Sequence, residues 1–284
     1  PGRWDLYARI VDQLAYHGML DELSEISHIA WPQIKDSDNI MWGKNTFAQW
    51  GADCVLFERL EQAGELSHED SELMQKIHYY FEDLQLEHFP KYINSTSGRS
   101  DQTFSLDDFK TTARRQKNEY DDSDDQQGLT AESKSVLSSL LDTFVDYARR
   151  IEGVPCTRAK LASTNIYSYI CGRLAGKLEP RQNLLESMRN PQKKPKPKPP
   201  TNILCPDHST LDRYLAEQLH FMNPLRYQAA ATLELMPAWL RFLKAKGLLE
   251  SKLPETTLKE LGKLQATLRK LFQSDRLDPA LSET

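Results

Sequence analysis

TAESKSVLSSLLDTFVDYARRIEGVPCTRAKLASTNIYSYICGRLAGKL, residues 130–178, reads as two helices around one break. Thr130 suits an N-cap, and Val136, Leu140, Leu141, Phe144, Val145 and Ala148 then recur at spacings of three and four, which predicts one apolar helical stripe. Gly153-Val154-Pro155 stops that helix, and a second follows from about Thr157 to Leu174. The same pattern returns 70 residues later: residues 141–178 align without gaps to 211–248. Leu141/Leu211, Asp142/Asp212, Ala159/Ala229, Ala175/Ala245 and Leu178/Leu248 are identical. Phe144/Tyr214, Val145/Leu215, Ile151/Phe221, Tyr169/Trp239 and Ile170/Leu240 keep their apolar character. Gly153-Val154-Pro155 faces a second break, Asn223-Pro224-Leu225. A helical hairpin used twice predicts an all-α chain of stacked, repeat-like hairpins.

The hairpin pattern extends toward the N-terminus. Trp4, Tyr7, Ala8, Val11, Leu14 and Ala15 form one stripe, Gly18 suits a helix stop, and Met19, Leu20, Leu23, Ile26 and Ala30 form a second. Trp31-Pro32 is expected to end that helix, because a residue before proline avoids the α region. With its early Trp, intervening Gly, Ala-bearing second helix and closing Pro, the stretch 4–32 resembles a tetratricopeptide-type hairpin, which implies a helical-repeat fold. Further helices are expected over 45–62, using Phe47, Trp50, Cys54, Phe57 and Leu60, and over 69–88, using Leu73, Ile77, Tyr80, Phe81 and Leu84. Periodicity lapses over 90–102, a short helix is expected over 106–116, and the acidic run 121–125 marks a boundary. Read from Asp121, that run lacks the sixth-position glycine of a calcium loop.

Beyond residue 178, Pro191, Pro195, Pro197, Pro199 and Pro200 interleave with lysines, which suits an extended polyproline II linker. Residues 193–200 alone would reach about 25 Å. Leu258, Leu261, Leu264, Leu268 and Leu271 predict a last helix over 255–273. The expected organisation has two helical subdomains. Its segments are N-terminal hairpins at 1–90, a polar connector at 91–129, a hairpin at 130–178, a linker at 179–208 and a C-terminal helical part at 209–284.

Composition excludes several classes. Charged residues make up 27% and hydrophobic residues 39%, and five Trp, eleven Tyr and ten Phe argue against a wholly disordered chain. No two of the 12 glycines are separated by a single residue, so neither a GxGxxG loop nor a P-loop can be written. No uncharged apolar run is long enough to span a membrane, and Arg3, Asp5, Arg9 and Asp12 interrupt the first apolar stretch, unlike a secretory leader. Cys54, Cys156, Cys171 and Cys205 are scattered with no CxxC pair, which suits reduced thiols and a cytoplasmic location. The net charge of −5 is uneven: residues 1–128 carry −13 and residues 129–284 carry +8.

Three Glu-x-x-His pairs occur, Glu25/His28, Glu65/His68 and Glu217/His220, a spacing used in di-iron bundles. On the helical wheel, however, Glu25/His28 and Glu217/His220 point away from the apolar stripes. Cys205 and His208 are the best remaining pair of zinc ligands, but no second pair sits at a usual distance, and Asp207 or Ser209 reads more simply as an N-cap. Neither metal nor cofactor is expected, and no catalytic signature such as GxSxG or HExxH appears. Gly172 and Gly176, four apart, read as close helix packing near a C-cap.

Two functions from different classes fit this reading. The first is a non-catalytic scaffold that binds another protein through its hairpins, with Trp42, placed between helices, as a contact. The second is nucleic-acid binding by the basic half. With Leu141, Phe144, Tyr147, a Gly153 turn, Thr157, Leu161 and Tyr169-Ile170, residues 141–178 resemble the core-binding domain of tyrosine recombinases. The resemblance implies DNA contact but not recombination, since no catalytic domain follows. Arg149, Arg150, Arg158, Lys160, Lys193, Lys194, Lys196 and Lys198 would then meet phosphates.

Overall fold

The computed structural model describes residues 3–36, 44–63, 66, 69–81, 103–109, 129–175, 177–178, 202–220, 225–249 and 253–275. Among these residues every regular element is helical. In chain order the helices are α1 (Arg3–His17), α2 (Leu20–Lys35), α3 (Lys44–Ala63), α4 (Ser71–Tyr80), α5 (Ala131–Glu152), α6 (Cys156–Leu174), α7 (His208–Gln218), α8 (Arg226–Ala245) and α9 (Leu253–Asp275). The chain divides into two compact units that are not consecutive stretches. The first joins residues 1–102 to 139–164, and the second joins 103–138 to 165–284. Each unit therefore takes part of the α5–α6 hairpin, whereas the reading in chain order kept 130–178 whole. The acidic run 121–125 and the lysine–proline stretch 193–200 lie outside the described residues.

In the first unit, α1 packs on α2, α2 on α3, and α3 on α4. Gly18 turns the first hairpin: at φ +75° it allows Met19 N–H to reach Leu14 O at 3.0 Å and its own N–H to reach Ala15 O at 3.3 Å. This is a Schellman stop, which a residue with a Cβ would strain. Leu23, Ala30, Trp31 and Ile34 from α2 meet Phe47, Leu56, Phe57 and Leu60 from α3 in the core. Asp70 caps α4 by accepting from Leu73 N–H at 3.1 Å, and Arg59 Nη2 lies 2.6 Å from the same carboxylate.

The expected end at Trp31-Pro32 is corrected. Helix α2 runs through Pro32 to Lys35. Pro32 is exposed, so the carbonyl it leaves without an amide can face water, while buried Trp31 and Ile34 hold both sides of it to the core. The Trp31 indole also donates to Tyr79 O at 2.9 Å. Packing outweighs the local cost.

In the second unit, α7, α8 and α9 pack pairwise. Helix α8 is the central element, with twelve buried residues from Ala229 to Leu243, including Trp239 and Phe242. Helix α9 covers it with Leu261, Leu264, Leu268 and Phe272; of the stripe expected from sequence, Leu258 and Leu271 are exposed instead, and Phe272 takes the buried place. A second Schellman stop closes α8: Gly247 has φ +72°, and Leu248 N–H bonds Leu243 O at 2.9 Å.

The duplicated pattern is matched by burial at six of its ten paired positions, whereas Ile151 is 67% exposed and Ala245 is exposed. Leu141/Leu211, Val145/Leu215, Ala159/Ala229, Tyr169/Trp239, Ile170/Leu240 and Leu178/Leu248 are all buried, and α6 and α8 begin at Cys156 and Arg226, 70 residues apart. Among the described residues 103–109, Leu106–Asp108 form a 3-10 turn in which Ser105 and Asp108 make a capping box, while residues 110–116 of the expected helix lie outside the described residues.

Candidate functional site

The most unusual chemistry in the first unit is a buried set of charges. Helix α3 contributes Asp53, α5 contributes Asp142 and α6 contributes Lys160. The Lys160 ammonium lies 3.6 Å from Asp53 Oδ2 and 3.6 Å from Asp142 Oδ1. Gln49, one turn before Asp53, donates from Nε2 to Asp53 Oδ1 at 3.1 Å. Asp53 is 1% exposed, while the side chains of Lys160 and Asp142 are 14% and 16% exposed.

Burial pushes the Asp53 carboxyl up to about 6, against the pull of Lys160 and Gln49 and with a further push from Asp142. For Lys160, burial works against the charge, but Asp53 and Asp142 outweigh it and hold the ammonium above the ordinary lysine range. A lysine kept protonated in this way is a poor nucleophile. The arrangement serves to join three helices through charge.

The sequence carried a signal for this cluster. Asp53 lies at i+3 from Trp50 and i−4 from Phe57, on the apolar stripe of α3, where a carboxylate must find a partner. The duplicated pattern adds a second clue. The position equivalent to Lys160 is Ala230, fully buried with no charge to satisfy. The cluster belongs to the first copy of the hairpin alone.

The other expected cationic contacts are also engaged within the first unit. Arg158 donates from Nε to Tyr16 O and lies 4.6 Å from the centre of the Tyr16 ring. Beside it, Thr157 Oγ1 donates to Ala15 O at 2.9 Å, so the start of α6 satisfies the last carbonyls of α1. Arg149 and Arg150 share Asp146, at 3.1 Å and 2.8 Å. Lys193, Lys194, Lys196, Lys198 and Trp42 lie outside the described residues.

In the second unit, Asp207 caps α7 by accepting from Thr210 N–H at 3.0 Å and the Thr210 hydroxyl at 2.6 Å. Tyr169 Oη lies 2.8 Å from Thr210 Oγ1, and Arg173 Nε lies 3.1 Å from Asp207 Oδ2. Burial would raise the Asp207 carboxyl, but bonds from Thr210 and Ser209 and the charge of Arg173 hold it below the ordinary range. Trp239 Nε1 donates to Leu204 O at 3.0 Å, fixing the chain just before Cys205. Cys205 is buried and its thiol is pushed up by desolvation, which disfavours the thiolate that zinc requires. His208 opens α7, and among the described residues no three His, Cys, Asp or Glu side chains group so as to hold a metal. Glu25, His28, Glu217 and His220 are exposed, as the helical wheel predicted.

Burial likewise raises the thiols of Cys54 and Cys171, and it pushes Cys156 to about 11. No described helix is long and apolar enough to cross a membrane. No family model matches the chain, and no curated protein or solved structure matches it either.

Proposed function

We propose that this chain is a protein-interaction scaffold built from helical hairpins, working in a reducing, cytoplasmic setting. The observation that carries the reading is how the charged groups of the hairpins are used. Lys160, Arg158, Arg149 and Arg173 hold helices and turns within their own units, which suits a rigid framework. Stacked hairpins offer partners an extended surface and need no catalytic group. The four cysteines are free thiols, in keeping with a reducing compartment.

Nucleic-acid binding by the basic half is the contrasting outcome of the test. The full chain should capture a protein partner whose retention is unaffected by Arg150→Ala and survives moderate salt. Retention on heparin or duplex DNA that falls steeply with salt would overturn the scaffold reading, because it reports counterion release from phosphates.

A further inference from the structure

We infer that the outer faces of α2 and α9 are the two halves of one interface: α2 of one copy of this chain docks antiparallel on α9 of a second copy. The inference rests on the scaffold reading above and names one partner for it. Each helix buries a single side, α2 through Leu23, Ser27, Ala30 and Ile34, and α9 through Leu261, Leu264, Leu268 and Phe272. At about 100° per residue, Glu25, Ile29, Pro32 and Asp36 fall within about 60° of arc on the opposite side of α2. Lys259, Lys263, Ala266 and Lys270 do the same on α9. All of these residues are exposed, Ile29 at 61%. Among the described residues, none of Glu25, Asp36, Lys259, Lys263 and Lys270 forms an ion pair.

The two faces match in register as well as in sign. Glu25 and Asp36 are eleven residues apart, and so are Lys259 and Lys270, a rise of about 16 Å on each helix. With the helices antiparallel and Ile29 set on Ala266, Glu25 comes opposite Lys270 and Asp36 opposite Lys259. Pro32 comes opposite Lys263, whose methylenes can cover its ring while the ammonium stays in water. Gln33 comes opposite Gly262, where nothing lies within 4 Å of an added Cβ. Small residues at 262 and 266 therefore leave room for the protruding isoleucine and let the helices approach. A parallel arrangement about the same centre sets Glu25 on Gly262 and Asp36 on Gln273, so both carboxylates miss a lysine.

The uneven net charge favours the same pairing. Helix α2 belongs to the part of the chain that carries −13, and α9 to the part that carries +8. Two copies are thus attracted with α2 toward α9 and repelled with like faces together. The two faces differ, so the contact is head-to-tail. A single helix pair is small for an interface and its charges are exposed, which makes the association weak and salt-sensitive.

The test is sedimentation velocity of the full chain at about 10–300 µM in about 50 mM salt. The sedimentation coefficient of the wild type should rise with concentration and return to that of a monomer in about 0.5 M salt. Lys259→Glu combined with Lys270→Glu should stay monomeric, as should Glu25→Lys combined with Asp36→Lys, because each variant carries two faces of like charge. These exposed positions leave both cores intact, which helical circular dichroism checks. Mixing the two variants should restore association, since the reversed α2 of one meets the reversed α9 of the other. A wild type that stays monomeric, a variant that still associates, or a mixture that does not would each overturn the pairing. A monomeric chain that still captures a different protein overturns this inference and leaves the scaffold reading standing. A monomeric wild type whose retention on duplex DNA is lost in Lys259→Glu/Lys270→Glu overturns both, and gives the α9 face to phosphates.

Discussion

Replacing Lys160 by methionine keeps the length of the side chain and deletes its charge, which separates the structural role of this lysine from a phosphate-binding one. The structure sets bounds on the effect. Breaking a buried pair by removing one partner costs about 3–5 kcal/mol when the orphaned charge must stay ionised. A carboxylate can instead take up a proton, and at pH 7 that costs about 4 kcal/mol for a group ordinarily titrating near 3.8. Asp53, already raised to about 6, bears roughly 3 kcal/mol of this in the native chain. Only about 1 kcal/mol more falls on Asp53, and the rest of the loss comes from Asp142 and from the pairing itself. We expect a net loss of about 2–4 kcal/mol at pH 7, read by urea denaturation followed by helical circular dichroism. Asp53→Asn combined with Lys160→Met should lose less than Lys160→Met alone, because the asparagine leaves no orphaned charge at that position. The reasoning is refuted if Lys160→Met leaves stability within about 0.5 kcal/mol while weakening retention on DNA. That result would place the ammonium on phosphate and off the carboxylates.

Two glycines give opposite expectations. An added Cβ at Gly51 would clash with the Tyr80 ring, which packs 5.9 Å from Trp31, so Gly51→Ala should destabilise by about 1–3 kcal/mol despite better helix propensity. Nothing lies within 4 Å of a Cβ at Gly262, so Gly262→Ala should stabilise by about 0.5–1 kcal/mol in the same denaturation assay. Asp207→Ala should cost about 1 kcal/mol by uncapping α7, and the loss should shrink as pH falls through the depressed value of the carboxylate. With burial raising all four thiols, labelling by a maleimide at pH 7 should be slow in the native chain and complete in urea; rapid native labelling of Cys156 would contradict its burial.

The sequence by itself determined the helical class and most of the helix positions. The reason is physical: a stripe at spacings of three and four, a positive-φ glycine or a capping carboxylate acts within a few residues. Gly18 and Thr130 mark helix ends as read, with Ser133 N–H bonding Thr130 Oγ1 at 3.1 Å, and of the two caps read for α7, Asp207 and Ser209, Asp207 is the one used. The paired apolar positions were legible because burial imposes the same demand on Leu141 and Leu211 or on Tyr169 and Trp239. Tertiary structure decided what depends on distant partners. Pro32 stayed inside α2 because Trp31 and Ile34 are anchored on either side of it, and the compact units cut through the α5–α6 hairpin where chain order suggested a whole. Lys160, which reads in sequence as one more surface cation, became the centre of the buried cluster. Its position is set by Asp53, more than a hundred residues earlier, and no local pattern encodes a charge pair across that distance.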